Sequence, residues 1–134
     1  MGRVLIIEDD SFLQDFYRLF FKKIGGHVVI VEDGMKVLEE IVSGDVDLII
    51  MDVNLRNTYL NGAKIDGIHF SKYIKMNYPL LHIPILLITA YPVSSMGNNM
   101  LEESMADDYL IKPITDYNQL VQKINQLVFA QNER

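Results

Sequence analysis

Cysteine is absent from the chain. This excludes a disulfide framework and any thiolate-ligated metal site, and it suits a reducing compartment. No apolar run reaches the roughly 18–20 residues needed to cross a bilayer. The opening "MGRVLIIEDD" meets acidic residues after only four apolar ones, so it does not read as a secretory signal. An excess of positive charge is missing as well. Twelve Lys and Arg against 18 Asp and Glu leave a net charge of -6, whereas phosphate-backbone binding needs a concentrated basic face. A glycine-rich phosphate loop, the signature of a nucleotide-binding turn, is also lacking. What is present is 134 residues, 49% of them hydrophobic, enough for one cored domain and too few for two. Residues 1–134 therefore read as one soluble, acidic, cytoplasmic domain with neither nucleic acid nor membrane as a direct partner.

Short apolar runs recur at Val4–Ile7, Val28–Val31, Leu48–Met51, Ile85–Ile88 and Tyr109–Ile111. They are rich in β-branched residues and continuous rather than alternating, the pattern of strands buried on both faces of a parallel sheet. Helical spacing fills the intervals. Leu13, Phe16, Tyr17, Phe20 and Ile24 form one stripe, and Val37, Leu38, Ile41 and Val42 another. Ile68, Tyr73 and Ile74 suggest a third, and Leu120, Val121, Ile124, Leu127 and Val128 a strong last one. The weakest helix lies at 94–105, "SSMGNNMLEESM", where Gly97 and two Asn lower the propensity, so it should be short, late-starting or mobile. Strand and helix alternate five times, which predicts an α/β fold: a doubly wound, five-stranded parallel sheet with five helices divided over both faces. Met35, Met76 and Met100 read as packing residues, and His27, His69 and His82 as surface or satisfied histidines.

The ends of these strands carry the chemistry. The first delivers Glu8, Asp9 and Asp10, the third Asp52, the fourth Thr89 and the fifth Lys112. In an open parallel sheet, function gathers outside the carboxyl ends of the strands. Glu8, Asp9 and Asp52 crowded there raise one another's pKa unless a cation compensates. A hard divalent ion held by oxygen ligands, Mg²⁺ with Mn²⁺ as its substitute, fits the need. Lys112 supplies a second positive charge. An aspartate so placed can take a phosphoryl group as an acyl phosphate, with Thr89 meeting one of its oxygens. Taken singly, each feature has a plainer explanation; an Asp pair before a helix is usually an N-cap and a first-turn acid. Their conjunction at successive strand ends is what points to a site.

"VLIIEDD", "DLIIMDV", "IPILLITA" and "DDYLIKP" resemble, in order and over essentially the whole chain, the receiver domains of two-component response regulators. The resemblance implies a flavodoxin-like sheet of order 2-1-3-4-5, as in single-domain chemotaxis regulators. It implies that Asp52 is the phosphoacceptor, charged by a histidine kinase or a histidine phosphotransfer protein. Asp9, Glu8, Asp52 and the Asn54 backbone carbonyl would hold the Mg²⁺. Thr89 and Lys112 would hold the phosphoryl group, Thr89 and Tyr109 would act as the switch pair, and Asn54 and Tyr91 would modulate the phosphoryl lifetime. The Lys112–Pro113 bond would be cis. Such a domain is a signalling switch rather than an enzyme, although it catalyses its own phosphotransfer and dephosphorylation. It addresses a downstream protein target through the face of its fourth helix, fifth strand and fifth helix, and can form a phosphorylation-dependent homodimer. It is either a stand-alone regulator or one domain of a longer protein.

The chain departs from that pattern in three places. "NLRNTYLNGAKIDG" puts Asp66 fourteen residues after Asp52, about seven more than usual, with Arg56 where proline is customary. This insertion, around 56–65, reads as a solvated loop turned by "NG", or else as an element that shapes kinase choice or water access. The loop after Thr89 is about one residue longer than usual, and the ring of Tyr91 either shields the acyl phosphate and slows its hydrolysis or simply lies on the surface. Phe12 and Leu19 in the first helix do not fit its core stripe and read either as a partner-facing patch or as ordinary spill-over from the core. Two other functions compete. A degenerate receiver acting only as an interaction module is disfavoured because every acceptor-site residue is present. A phosphohydrolase of the haloacid dehalogenase type is disfavoured because no acid follows Asp52 by two residues.

Overall fold

The computed structural model describes residues 2–91 and 99–132. Five parallel strands form the main sheet: β1 (Arg3–Ile7), β2 (His27–Val31), β3 (Val46–Asp52), β6 (Ile85–Thr89) and β7 (Asp108–Ile111), in the order β2-β1-β3-β6-β7. That is the doubly wound arrangement expected. A two-residue-per-strand hairpin, β4 (Tyr59–Leu60) with β5 (Ala63–Lys64), lies outside this sheet.

The helices are α1 (Ser11–Ile24), α2 (Gly34–Ser43), α3 (Gly67–Asn77), α4 (Asn99–Ser104) and α5 (Tyr117–Asn132). Each central strand sends alternate side chains to opposite faces. Val4, Ile6, Leu48, Ile50, Leu86 and Ile88 pack against Tyr17, Phe20 and Phe21 of α1 and Leu120 and Ile124 of α5. Leu5, Ile7, Ile49, Met51, Ile85 and Leu87 meet Val37, Leu38 and Ile41 of α2, Phe70 and Ile74 of α3 and Met100 of α4.

Three helical readings need correction. Val42 is exposed, since it falls past the edge of the α2 stripe, and Met35 and Met76 are exposed where packing was expected; only Met100 is core. Phe21 and Phe70, outside the predicted stripes, are fully buried. The weak helix expected over 94–105 is seen as α4 from Asn99, and residues 92–98 lie outside the described residues.

The register brings the strand ends level. Ile7 pairs with Met51, Asp52 with Ile88, and Thr89 with Ile111, so Glu8 lies beside Asp52, and Lys112 follows immediately beyond Thr89. Asp10 is the N-cap of α1, its side chain accepting from the amides of Phe12 and Leu13. At the opposite edge of the sheet, Asp107 Oδ2 accepts from Ile85 N at 2.8 Å and from Lys75 Nζ at 2.7 Å. The same ammonium donates to Ile83 O at 3.0 Å, tying α3 to the starts of β6 and β7.

Gly67 opens α3 against the backbone of the third strand. A Cβ there would lie 2.0 Å from Asp52 O. Gly67→Ala is therefore expected to cost about 2 kcal/mol, the penalty of overpacking against a rigid neighbour, and to displace Asp52. Urea denaturation measures the first effect. An unchanged midpoint would show that the close approach is not required.

Candidate functional site

The carboxyl ends of β1, β3 and β7 enclose a cleft of about 510 Å³, lined by Glu8, Asp9, Asp52, Asn54 and Lys112 among others. Asp52 is only 3% exposed. Its Oδ1 accepts from Lys112 Nζ at 2.9 Å and from the Asn54 amide at 3.0 Å. The lysine neutralises the buried charge, and the amide fixes the carboxylate's orientation. This is the arrangement a buried charge requires: paired and hydrogen-bonded.

Glu8, 1% exposed, is less comfortable. Its Oε2 accepts from Asp10 N at 3.1 Å, while Oε1 is buried with no hydrogen-bond partner. Burial, and then hydrogen bonding to and charge repulsion from Asp52, push its carboxyl from 4.5 up to about 8 against the smaller opposing pull of the Asp10 amide and Lys112. Two agents relieve such a group: a proton shared toward Asp52, or a cation between the two carboxylates. The orphaned oxygen and the oxygen-rich donor set thus suit a hard divalent ion. The same burial, together with the Glu8 and Asp52 charges, raises the Tyr17 phenol, which stays protonated.

Asp9 is placed differently from its neighbours. Its Oδ2 accepts from the amides of Arg56 and Asn57, both at 2.8 Å, and from the Thr58 hydroxyl at 3.1 Å. Among the described residues, no three acidic or histidine side chains gather closely enough to hold a metal ion.

Thr89 is fully buried at the end of β6 and turned to the following backbone. Its Oγ1 accepts from the Tyr91 amide at 3.1 Å, and its hydroxyl donates to Tyr91 O at 3.2 Å. The Tyr91 ring is 56% exposed. Tyr109 is half-buried, with Lys123 Nζ 5.9 Å from its ring centroid. The Lys112–Pro113 peptide is cis. His69 contacts both Asp66 and Glu103, and His27 and His82 are exposed.

The insertion is largely exposed, as a solvated loop would be, but it is anchored. Leu55, Thr58 and Leu60 are buried, and a Cβ on Gly34 would lie 2.2 Å from Tyr59 O, so the hairpin sits directly on the first turn of α2. Asn61 and Gly62, both at positive φ, make the two-residue turn that Asn-Gly favours. The alternation of Thr58 and Leu60 with exposed neighbours was the available sequence signal for an anchored strand, but at two residues it is too short to be read with assurance.

A family model described as "Response regulator receiver domain" matches residues 4–125. The chain belongs to the response regulator receiver family. The probable C4-dicarboxylate response regulator DctR of Halalkalibacterium halodurans is 31% identical to this receiver over 118 residues, 84% of the chain and 46% of that protein. The response regulator ArlR of Staphylococcus saprophyticus is 31% identical over 134 residues, 100% of the chain and 56% of that protein. The receiver thus spans about half the length of these two relatives. The receiver domain of the Pseudomonas aeruginosa sensor histidine kinase PA1611, solved with a magnesium ion in its active-site cleft, superposes with a TM-score of 0.77. It is 23% identical, covering 95% of this chain and 97% of that one, a likeness that speaks to the fold. Receivers of this family are signalling domains of two-component systems, working with histidine kinases and downstream effectors, rather than free-standing catalysts. No helix among the described residues is long and apolar enough to cross a membrane.

Proposed function

We infer that this receiver is a phosphorylation switch whose acceptor is Asp52. The observation that carries the reading is the buried Asp52 carboxylate, paired with Lys112 and set beside the unpartnered Glu8 oxygen at the carboxyl edge of the sheet. In the reaction a carboxylate oxygen of Asp52 attacks phosphorus. The new P–O bond forms as the P–N bond to the donor imidazole breaks, and the imidazole, already protonated at its other ring nitrogen, leaves as the neutral ring with the P–N electron pair. The chain's own part is positional. Asn54 N holds the nucleophile, and Lys112 Nζ stands where negative charge on the transferred group needs an ammonium. Thr89 releases Tyr91 and turns its hydroxyl to the phosphoryl group, and Tyr109 repacks with it. Glu8, Asp9, Asp52 and the Asn54 carbonyl would hold Mg²⁺, which when bound neutralises the phosphoryl oxygens.

The phosphodonor is a histidine kinase or a histidine phosphotransfer protein. A groove of about 460 Å³ beside the site, lined by Phe12, Phe16, Leu19, Pro113 and Tyr117, offers it an apolar seat. Phe12 is 81% and Leu19 63% exposed there, a costly surface to leave in water without a partner. The response passes to a downstream protein through α4, β7 and α5, in the cytoplasm, with homodimerisation as one form of output. The Tyr91 ring, solvent-facing in this state, modulates phosphoryl lifetime only if it folds over the site.

Intact mass after incubation with Mg²⁺ and acetyl phosphate tests the reading. A phosphoryl adduct is expected that is acid-stable and base-labile, and is lost in Asp52→Asn and on chelation. Folded, Mg²⁺-binding protein that gives no adduct with acetyl phosphate or with a phosphorylated histidine donor would overturn it.

A further inference from the structure

The Asp9 carboxylate is claimed twice. It is one of the cation ligands in the reading above, on which this inference rests, and it is also the acceptor at the start of the insertion. We propose that the Arg56–Thr58 segment is a built-in competitor for the cation. It occupies Asp9 Oδ2, and a cation that takes this oxygen does so only by drawing it out of the strap.

Three donors converge on the single oxygen Oδ2: two amides at 2.8 Å and the Thr58 hydroxyl at 3.1 Å. A carboxylate has about four acceptor positions over its two oxygens, so Oδ2 has none left to offer a metal. The donors belong to a folded element. Thr58 is fully buried, its carbonyl accepts from Ile65 N at 3.0 Å to close the base of the hairpin, and Leu60 is packed in the core beside α2. The absence of a metal-holding trio of acidic or histidine side chains among the described residues follows directly. Glu8 and Asp52 are adjacent, and the third carboxylate is turned toward the strap.

Linkage makes the consequence reciprocal: whatever the strap contributes to holding Asp9 is subtracted from cation affinity, and a bound cation loosens the strap by the same factor. The insertion thereby sets the divalent-ion concentration at which this receiver becomes competent. It does so from the rim of the acceptor cleft, which Arg56 and Asn57 line, through a strap continuous with a hairpin separate from the main sheet.

Calorimetric titration of Mg²⁺ into the full chain, Thr58→Val and Arg56→Pro tests the proposal. The first variant removes the hydroxyl donor at nearly constant shape, and the second removes one amide donor at an exposed position. Each is expected to bind Mg²⁺ roughly tenfold more tightly than wild type, the value of one hydrogen bond to a charged group. Asp9→Asn should abolish the difference. In ¹⁵N-labelled wild type, the Arg56 and Asn57 amide resonances should move during the titration as they lose their acceptor. If Thr58→Val fails to fold, Arg56→Pro and the amide shifts still decide. Equal affinities in a wild type that binds Mg²⁺ would overturn the competition and leave the phosphoacceptor reading intact. Weaker binding in both variants would overturn it by making the strap a positioning device. No Mg²⁺ binding by any form would remove the metal site and the proposal together.

Discussion

Lys112→Met is expected to destabilise the metal-free receiver by about 2–3 kcal/mol near neutral pH. Removing one partner of a buried pair leaves an uncompensated charge, a loss that reaches 3–5 kcal/mol in fully buried cases. The lower figure applies because the lysine side chain keeps 19% of its exposure, while that of Asp52 keeps 4%. The site offers little in its place: the Asn54 amide is the only other donor on Oδ1 among the described residues. The double variant Asp52→Asn/Lys112→Met should recover most of the loss, because replacing both partners removes the stranded charge. Urea unfolding of the four members of the cycle measures the coupling. A Lys112→Met protein as stable as wild type would show that water, not the ammonium, carries the Asp52 charge.

Glu8→Gln should act in the opposite direction. The Glu8 carboxyl titrates at 4.5 in the unfolded chain and at about 8 in the folded, metal-free one. Between those values the native state holds a proton that the unfolded state has released, so stability falls as pH rises. The contribution is fully present below 4.5 and lost by about 8. Glutamine keeps an acceptor for the Asp10 amide, can donate to Asp52, and does not titrate. At pH 8 without metal, Glu8→Gln is expected to be more stable than wild type by about 1–2 kcal/mol, several degrees in Tm, and the two should converge toward pH 4.5. With saturating Mg²⁺ the order should reverse, since only the carboxylate gains from the cation. Thermal melts at both pH values, with and without Mg²⁺, check this. A wild-type stability that rises from pH 5 to 8 without metal would refute it.

The parts of this molecule legible in the sequence were those whose environment is uniform. The strands at 4–7, 48–51 and 85–88 are buried on both faces, so their composition alone marks them, and the register then brings Glu8, Asp52 and Lys112 together. Helix faces were less legible at their margins. Phe21 and Phe70 are fully buried, whereas Val42 and Met35 fall off the buried face of α2 formed by Val37, Leu38 and Ile41, a distinction that periodicity over ten residues does not resolve. The insertion was the least legible. "NTYLNG" is polar and turn-rich, as a solvated loop would be, and the side chain that anchors it is a threonine whose hydroxyl is satisfied by a carboxylate 49 residues away. Local pattern carries no information about such a contact. The same holds for Thr89, whose position at the strand end was evident but whose engagement with the Tyr91 backbone was not.

The lattice of bonds around Asp107 gives the sheet a mechanical polarity. Lys75, Ile83, Ile85 and Asp107 lock the amino edge of β6 and β7 to α3. At the other edge, the ladder between the same strands runs to Thr89 and Ile111 and closes with the Lys112 amide on Thr89 O, at 2.7 Å. The two strands are paired along their length, but only their amino ends are also tied by side-chain bonds to α3. The end without that tether is the one that carries Thr89 and the exposed Ile111, so the sheet is least anchored on the side of Asp52 and on the face proposed above for output.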